Sequence, residues 1–119
     1  MIERLDTVCL KVRDVIESSK WYEEKLGFTV SFEGEGYRVL SIGESSVPLT
    51  IEEGEVEAGR SKSYPIFYSK DIETTYKKLQ SKGVQVSEIQ NDDVNHFFDV
   101  YDQDGNRMQI CFFSQNGEK

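Results

Sequence analysis

Val12-Arg13-Asp14-Val15 leads, after Trp21-Tyr22, into Lys25-Leu26-Gly27-Phe28-Thr29-Val30. The same grammar returns as Ser69-Lys70-Asp71-Ile72, Thr75-Tyr76 and Ser81-Lys82-Gly83-Val84-Gln85-Val86. In each copy an aspartate stands where a helix N-cap belongs, an apolar stripe follows at helical spacing, and a glycine stands where the helix must stop. Recurrence at a period of about 57 residues marks a duplicated unit, and that duplication decides the fold.

Working outward, Val8, Leu10 and Val12 alternate with Thr7, Cys9 and Lys11, which predicts a half-buried strand over 5–12. Asp14 with Glu17 forms a capping-box signature, and Val15, Ser18, Ser19, Tyr22 and Leu26 share a helical face up to Gly27. Strands are predicted over 28–32, 37–42 and 47–53, divided by Gly34-Glu35-Gly36 and by 43–46. The second half repeats the order: a strand over 64–69, then a helix capped by Asp71 with Ile72, Thr75, Tyr76 and Leu79 on one face. A strand beginning at 84–86 and further strands over 96–101 and 108–113 follow, the last two joined at Asp104-Gly105-Asn106. The expected organisation is one domain over 1–119, with module one at 1–53, an acidic linker at 54–62 and module two at 63–119.

The 119 residues are 30% charged and 12% aromatic, which suits a globular chain with a real core and excludes a disordered one. A net charge of −8 repels phosphate backbones and anionic headgroups, so neither nucleic acid nor a membrane surface is an expected partner. No apolar run approaches the roughly 20 residues of a membrane span. Charges at Glu3, Arg4 and Asp6 occupy the place of a signal peptide's apolar stretch, so a cytoplasmic location is expected. Cys9 and Cys111 make no CxxC pair and read as thiols.

One helix covers only one face of a four-stranded sheet. The other face of each sheet must meet its counterpart, a partner chain or a ligand. That face carries Thr7, Cys9, Thr50, Glu52, Tyr64, Ile66, Tyr68, Gln109 and Cys111, a mixed polar and aromatic set. The helix side carries Leu10, Ile51, Phe67, Ile110 and Phe112 instead. A mixed lining suits a small-molecule pocket, with a dry barrel interior as the alternative. Tyr37, Tyr64, Tyr68 and Phe98 are the aromatic candidates for stacking on a ligand.

Val12-Arg13-Asp14, Ser19-Lys20-Trp21-Tyr22, Leu26-Gly27-Phe28, Phe67 with Asp71-Ile72, and Asp102-Gln103-Asp104-Gly105-Asn106-Arg107 together resemble the vicinal oxygen chelate superfamily. That superfamily comprises glyoxalase I, bleomycin-resistance proteins and extradiol dioxygenases. Gln103 departs from the proline usual in its turn. The resemblance implies an α+β fold in which two βαβββ modules form an open eight-stranded barrel around a central pocket. It also implies a homodimer with the pocket shared between chains.

In metal-dependent members four positions hold a divalent ion, normally as His or Gln, Glu or His, His, and Glu. The resemblance places these positions on Thr7, Thr50, Tyr64 and Gln109, with Glu52 two residues beyond Thr50. Neutral hydroxyls and an amide cannot offset the dehydration of such an ion, so no metal and no other cofactor is expected. Gln109 likewise cannot take up the proton that a terminal glutamate shuttles in glyoxalase-type chemistry. The expected function is therefore metal-free binding of a small organic molecule, cationic or aromatic, of the bleomycin-resistance type. The alternative is a glyoxalase-like lyase or isomerase, or a dioxygenase-related enzyme, with its metal at an atypical site.

Three further features carry weaker expectations. His96, near Asp92, Asp93 and Asp99, reads as a surface histidine rather than a general base. Trp21 and Tyr22 read as packing residues. The run Glu52-Glu53-Gly54-Glu55-Val56-Glu57 borders the expected pocket and would draw in a cation, or is a solvated loop.

Overall fold

The computed structural model describes residues 1–57, 62–92 and 94–114. It divides into two compact units, Met1–Glu57 and Ala58–Lys119, each built on its own sheet. Positions 58–61 of the expected linker, and Asp93, lie outside the described residues.

In the first unit, strand β1 (Val8–Val12) precedes helix α1 (Val15–Trp21), whose last turn widens into a π-helical turn over Tyr22–Leu26. Strands β2 (Thr29–Gly34), β3 (Tyr37–Ser41) and β4 (Leu49–Glu53) follow. The sheet order is β1-β4-β3-β2, with β1 parallel to β4 and the other pairs antiparallel. A register shift between Val30 and Phe32 bulges β2. Asp14 caps α1 by accepting from the backbone N–H groups of Ile16 and Glu17, both at 3.0 Å. Gly27 ends it at φ +74°, a conformation costly for any side-chain-bearing residue.

The π turn corrects the expectation of one regular helix. Asp14 to Gly27 is one residue longer than Asp71 to Gly83, and a π turn is how a helix absorbs an extra residue without shifting its flanks. It keeps Tyr22 fully buried and stacked on Phe28 at 6.0 Å.

In the second unit, β5 (Ile66–Tyr68) precedes α2 (Ile72–Ser81), capped by Asp71 and stopped by Gly83 at φ +76°. Then come β6 (Gln85–Val86), β7 (Gln90–Asn91), β8 (Asn95–Tyr101) and β9 (Arg107–Phe113). The order is β5-β9-β8-β6, with β7 also paired to β8. The single strand expected from 84 onward is therefore broken in two. At the break Ser87 donates its N–H to the Asp99 carbonyl (3.0 Å), and its Oγ accepts the Asp99 N–H (2.8 Å), so the hydroxyl substitutes for a ladder carbonyl.

Each module is thus a βαβββ unit of an α+β fold, and each core lies between helix and sheet. Val12, Tyr22, Leu40, Leu49 and Ile51 fill the first; Leu79, Phe98, Val100, Met108 and Ile110 fill the second. Burying each such side chain is worth roughly 1.5–3 kcal/mol. The helix-free faces are wetter, with Phe32, Ile66 and Tyr68 at 55%, 52% and 45% exposure. No helix among the described residues is long and apolar enough to cross a membrane.

Candidate functional site

Parallel pairing of β1 with β4 sets Cys9 beside Thr50 and Lys11 beside Glu52, and partners in register share a face. Thr7, just before β1, joins them. Its Oγ1 donates to the Pro48 carbonyl at 2.9 Å and lies 2.9 Å from the Thr50 hydroxyl. Lys11 and Glu52 form a salt bridge at the far end of the same row. Tyr37 sits opposite Glu52 on β3, and its ring lies over Gly34, where a Cβ would collide with it, 5.9 Å from the Phe32 ring. Thr7, Thr50, Glu52 and Tyr37 are half-buried and Cys9 is exposed. Partial burial and the Glu52 carboxylate push the Cys9 thiol pKa up, while Lys11 pulls it down less strongly. A raised pKa leaves less of the Cys9 thiolate, the form that attacks as a nucleophile.

On the second module's helix-free face, antiparallel pairing sets Asp99 opposite Gln109 and Tyr101 opposite Arg107. Asp99 Oδ1 accepts from Gln109 Nε2 and from an Arg107 guanidinium N–H, each at 3.2 Å. The Arg107 guanidinium in turn lies 4.0 Å from the centre of the Tyr64 ring, a cation–π contact. Bonding to Asp99 is the leading cause of the raised Arg107 pKa. Ile66 pairs with Gln109 and Tyr68 with Cys111, a buried thiol. The Tyr68 ring meets Phe113 edge-on at 5.1 Å.

Ten of the expected lining residues thus stand on the expected faces: Thr7, Cys9, Tyr37, Thr50 and Glu52 in the first unit, and Tyr64, Ile66, Tyr68, Gln109 and Cys111 in the second. Phe98 does not. It pairs with Ile110, a helix-side residue, is fully buried, and meets Tyr76 of α2 edge-on at 4.9 Å. Cross-strand partners share a face, so Phe98 belongs to the core and its neighbour Phe97, opposite Cys111, takes the helix-free side. Tyr64 has one ring face covered by Arg107, which leaves the other for stacking.

Asp99 and Arg107 are the residues that the sequence reading missed as members of this face. A signal was present. With Gln109 on the helix-free side and a tight turn over 102–106, strict alternation brings Asp99 opposite it. His96 is exposed, faces the helix side and bonds Asn91. A cavity of about 260 Å³ lined by Lys70, Asp71, Ile72, Glu73, His96 and Phe112 opens there, away from the helix-free face. Trp21 and Tyr22 pack edge-on at 5.0 Å.

The positions that the resemblance assigns to metal ligands present two threonine hydroxyls, a tyrosine and an amide. None supplies the charge or the imidazole lone pair that a divalent ion exchanges for its water, so this donor set does not fit one. No group of three or more His, Cys, Asp or Glu side chains suited to an ion occurs among the described residues.

Solved structures of similar fold span almost the whole chain. An integron cassette protein from the mobile metagenome of Halifax Harbour Sewage Outfall shares 23% identity at TM-score 0.79, covering 94% of this chain and 100% of its own. TnmS3, an antibiotic binding protein from Streptomyces sp. CB03234, shares 18% at TM-score 0.79, covering 95% and 98%. The fosfomycin resistance protein FosX from Listeria monocytogenes, complexed with Mn(II) and sulfate ion, shares 14% at TM-score 0.80, covering 97% and 94%. No curated protein matches the chain in sequence. The family model described as Glyoxalase/Bleomycin resistance protein/Dioxygenase superfamily matches residues 4–110, and with its βαβββ modules the chain belongs to that superfamily.

Proposed function

We propose that this protein binds a small organic molecule on its helix-free sheet faces without a metal, as a sequestering protein of the bleomycin-resistance type. The carrying observation is the state of the metal-ligand positions: Thr7 is hydrogen-bonded to Thr50, and Gln109 is held by Asp99. These side chains are neutral and tied to their neighbours, which suits recognition by hydrogen bonding rather than charge compensation of an ion. The half-buried Tyr37 and Tyr64 supply aromatic area beside them. TnmS3, an antibiotic binding protein of similar fold, supports this reading. On the same reading, 1–119 forms one domain whose two modules make an open eight-stranded barrel around the ligand. The working form is then a cytoplasmic homodimer with a shared pocket.

The test is untagged protein dialysed and assayed for bound metal, then screened against basic and aromatic antibiotics by thermal shift. Metal far below one ion per chain is expected. So is a ligand whose saturation at about 100 times its Kd stabilises the fold by about 2.7 kcal/mol. Near-stoichiometric Zn, Mn, Fe or Ni, or turnover of a glutathione hemithioacetal, would overturn the proposal. Light scattering that gives the mass of one chain would remove the dimer.

A further inference from the structure

Glutamine's carboxamide has two ends of nearly equal shape and opposite hydrogen-bonding sense, and its neighbours choose between them. An ionised carboxylate only accepts. With Asp99 Oδ1 at 3.2 Å, the Nε2 end of Gln109 is turned toward Asp99 and the Oε1 end away from it. Asp99 is itself restrained from two directions: Arg107 donates to the same oxygen at 3.2 Å, and the paired backbone–Ser87 bonds hold its main chain. Arg107 is steadied in turn by the Tyr64 ring.

The first module reaches the same sense by separate means. A threonine hydroxyl has a single proton. That of Thr7 goes to the Pro48 carbonyl, which can only accept, so the 2.9 Å contact with Thr50 is made with the Thr50 proton. The Thr50 oxygen is left with lone pairs alone.

We propose that Asp99 is a positioning residue that engages Arg107 and sets the orientation of Gln109, so that beside Gln109 the second module's helix-free face accepts hydrogen bonds and selects ligands that donate them, a protonated amine or amidinium above all. This inference rests on the ligand-binding reading above and narrows it to a ligand class. An anionic ligand such as a carboxylate would set its lone pairs against those of Gln109, leaving a half-buried acceptor without a proton. The net charge of −8 acts in the same direction at longer range.

The experiment uses the full chain and two flat probes of equal size, benzamidine and benzoate. The preference for benzamidine, as the ratio of the two Kd values, is expected to be about ten- to a hundredfold, the worth of one charge-assisted hydrogen bond. In Asp99→Asn the charge that fixes the Nε2 end is gone and residue 99 has both a donor and an acceptor to offer, so Gln109 is no longer held one way round and the ratio is expected to fall to within about threefold. Glu44→Gln removes the same charge from an exposed turn of the first module and is expected to keep the ratio.

A ligand-free readout stands beside these. One Gln109 side-chain amide proton, identified by its loss in Gln109→Met, is expected downfield in the native protein's NMR spectrum and back at its usual position in Asp99→Asn. Should Asp99→Asn fail to fold, Gln109→Met is expected to abolish the preference by itself. An unchanged ratio in Asp99→Asn, an amide proton indifferent to residue 99, or equal binding of the two probes overturns the inference. If neither probe binds while the amide proton responds as expected, the ligand class falls. The metal assay then decides whether the binding reading falls with it.

Discussion

The two modules share a folding grammar and differ in nearly everything laid on it. Both open with an aspartate cap, close their helix on a glycine at φ near +75°, and pair their first strand in parallel with their last. The first absorbs an extra residue as a π turn and bulges its outer strand; the second breaks that strand at Ser87. Their last hairpins are tied differently. In the first, the exposed Ser45 Oγ accepts from Val47 N–H at 3.1 Å. In the second, the buried Asp102 accepts from the N–H groups of Asp104 and Asn106 and from the Asn106 side chain, at 2.8–2.9 Å. On the helix-free faces a neutral threonine pair stands in one module and a Tyr64–Arg107–Asp99–Gln109 network in the other. Helix ends and strand alternation are what a module needs in order to fold. The helix-free face carries no such demand and is where chemistry can diverge.

The contrast between faces breaks first at adjacent phenylalanines. Phe98→Ala is expected to lose about 4 kcal/mol in urea denaturation, and Phe97→Ala less than about 1.5 kcal/mol, because only the first empties a fully buried site. Equal losses would mean that the two sides of β8 are exchanged.

Between the hairpins, Asp102→Ala is expected to cost about 3 kcal/mol and Ser45→Ala about 0.5 kcal/mol, since a buried carboxylate with three partners exceeds one exposed hydroxyl. Gly27→Ala and Gly83→Ala sharpen the likeness of the modules. An added Cβ meets nothing within 4 Å at either site, so each should cost about 1–2 kcal/mol by backbone conformation alone, and by nearly equal amounts. The caps should differ slightly: about 1 kcal/mol for Asp14→Ala, which serves two N–H groups, and about half that for Asp71→Ala, whose one bond is 3.3 Å.

The smallest effect is one of rate. Cys9 alkylation by iodoacetamide should reach half its maximal rate above the usual thiol pH. Glu52→Gln should move that midpoint down and Lys11→Met should move it up, because the carboxylate opposes the thiolate and the ammonium favours it. Cys111, being buried, should react far more slowly.

Much of this was legible in the linear chain. Caps, glycine stops and the duplicated order depend on residues close in sequence, and alternation within a strand follows from the pleat, so Thr7, Cys9, Gln109 and Cys111 could be placed on their faces. The π turn was half-legible, as the one-residue difference between Asp14–Gly27 and Asp71–Gly83. The misplacement of Phe98 shows where local reading stops. Aromatic character suggested stacking, and only its partnership with Ile110 and Tyr76 shows it to be core.

By itself the sequence determined a twice-used βαβββ module and the neutral residue types at the superfamily's ligand positions, because both are properties of composition and short-range spacing. Tertiary structure alone decided which hydrogen-bonding partners Thr7, Thr50 and Gln109 meet. A hydroxyl or an amide acquires its sense from the donor or acceptor set against it, and Pro48 lies far from Thr7, and Asp99 well before Gln109, until the strands pair.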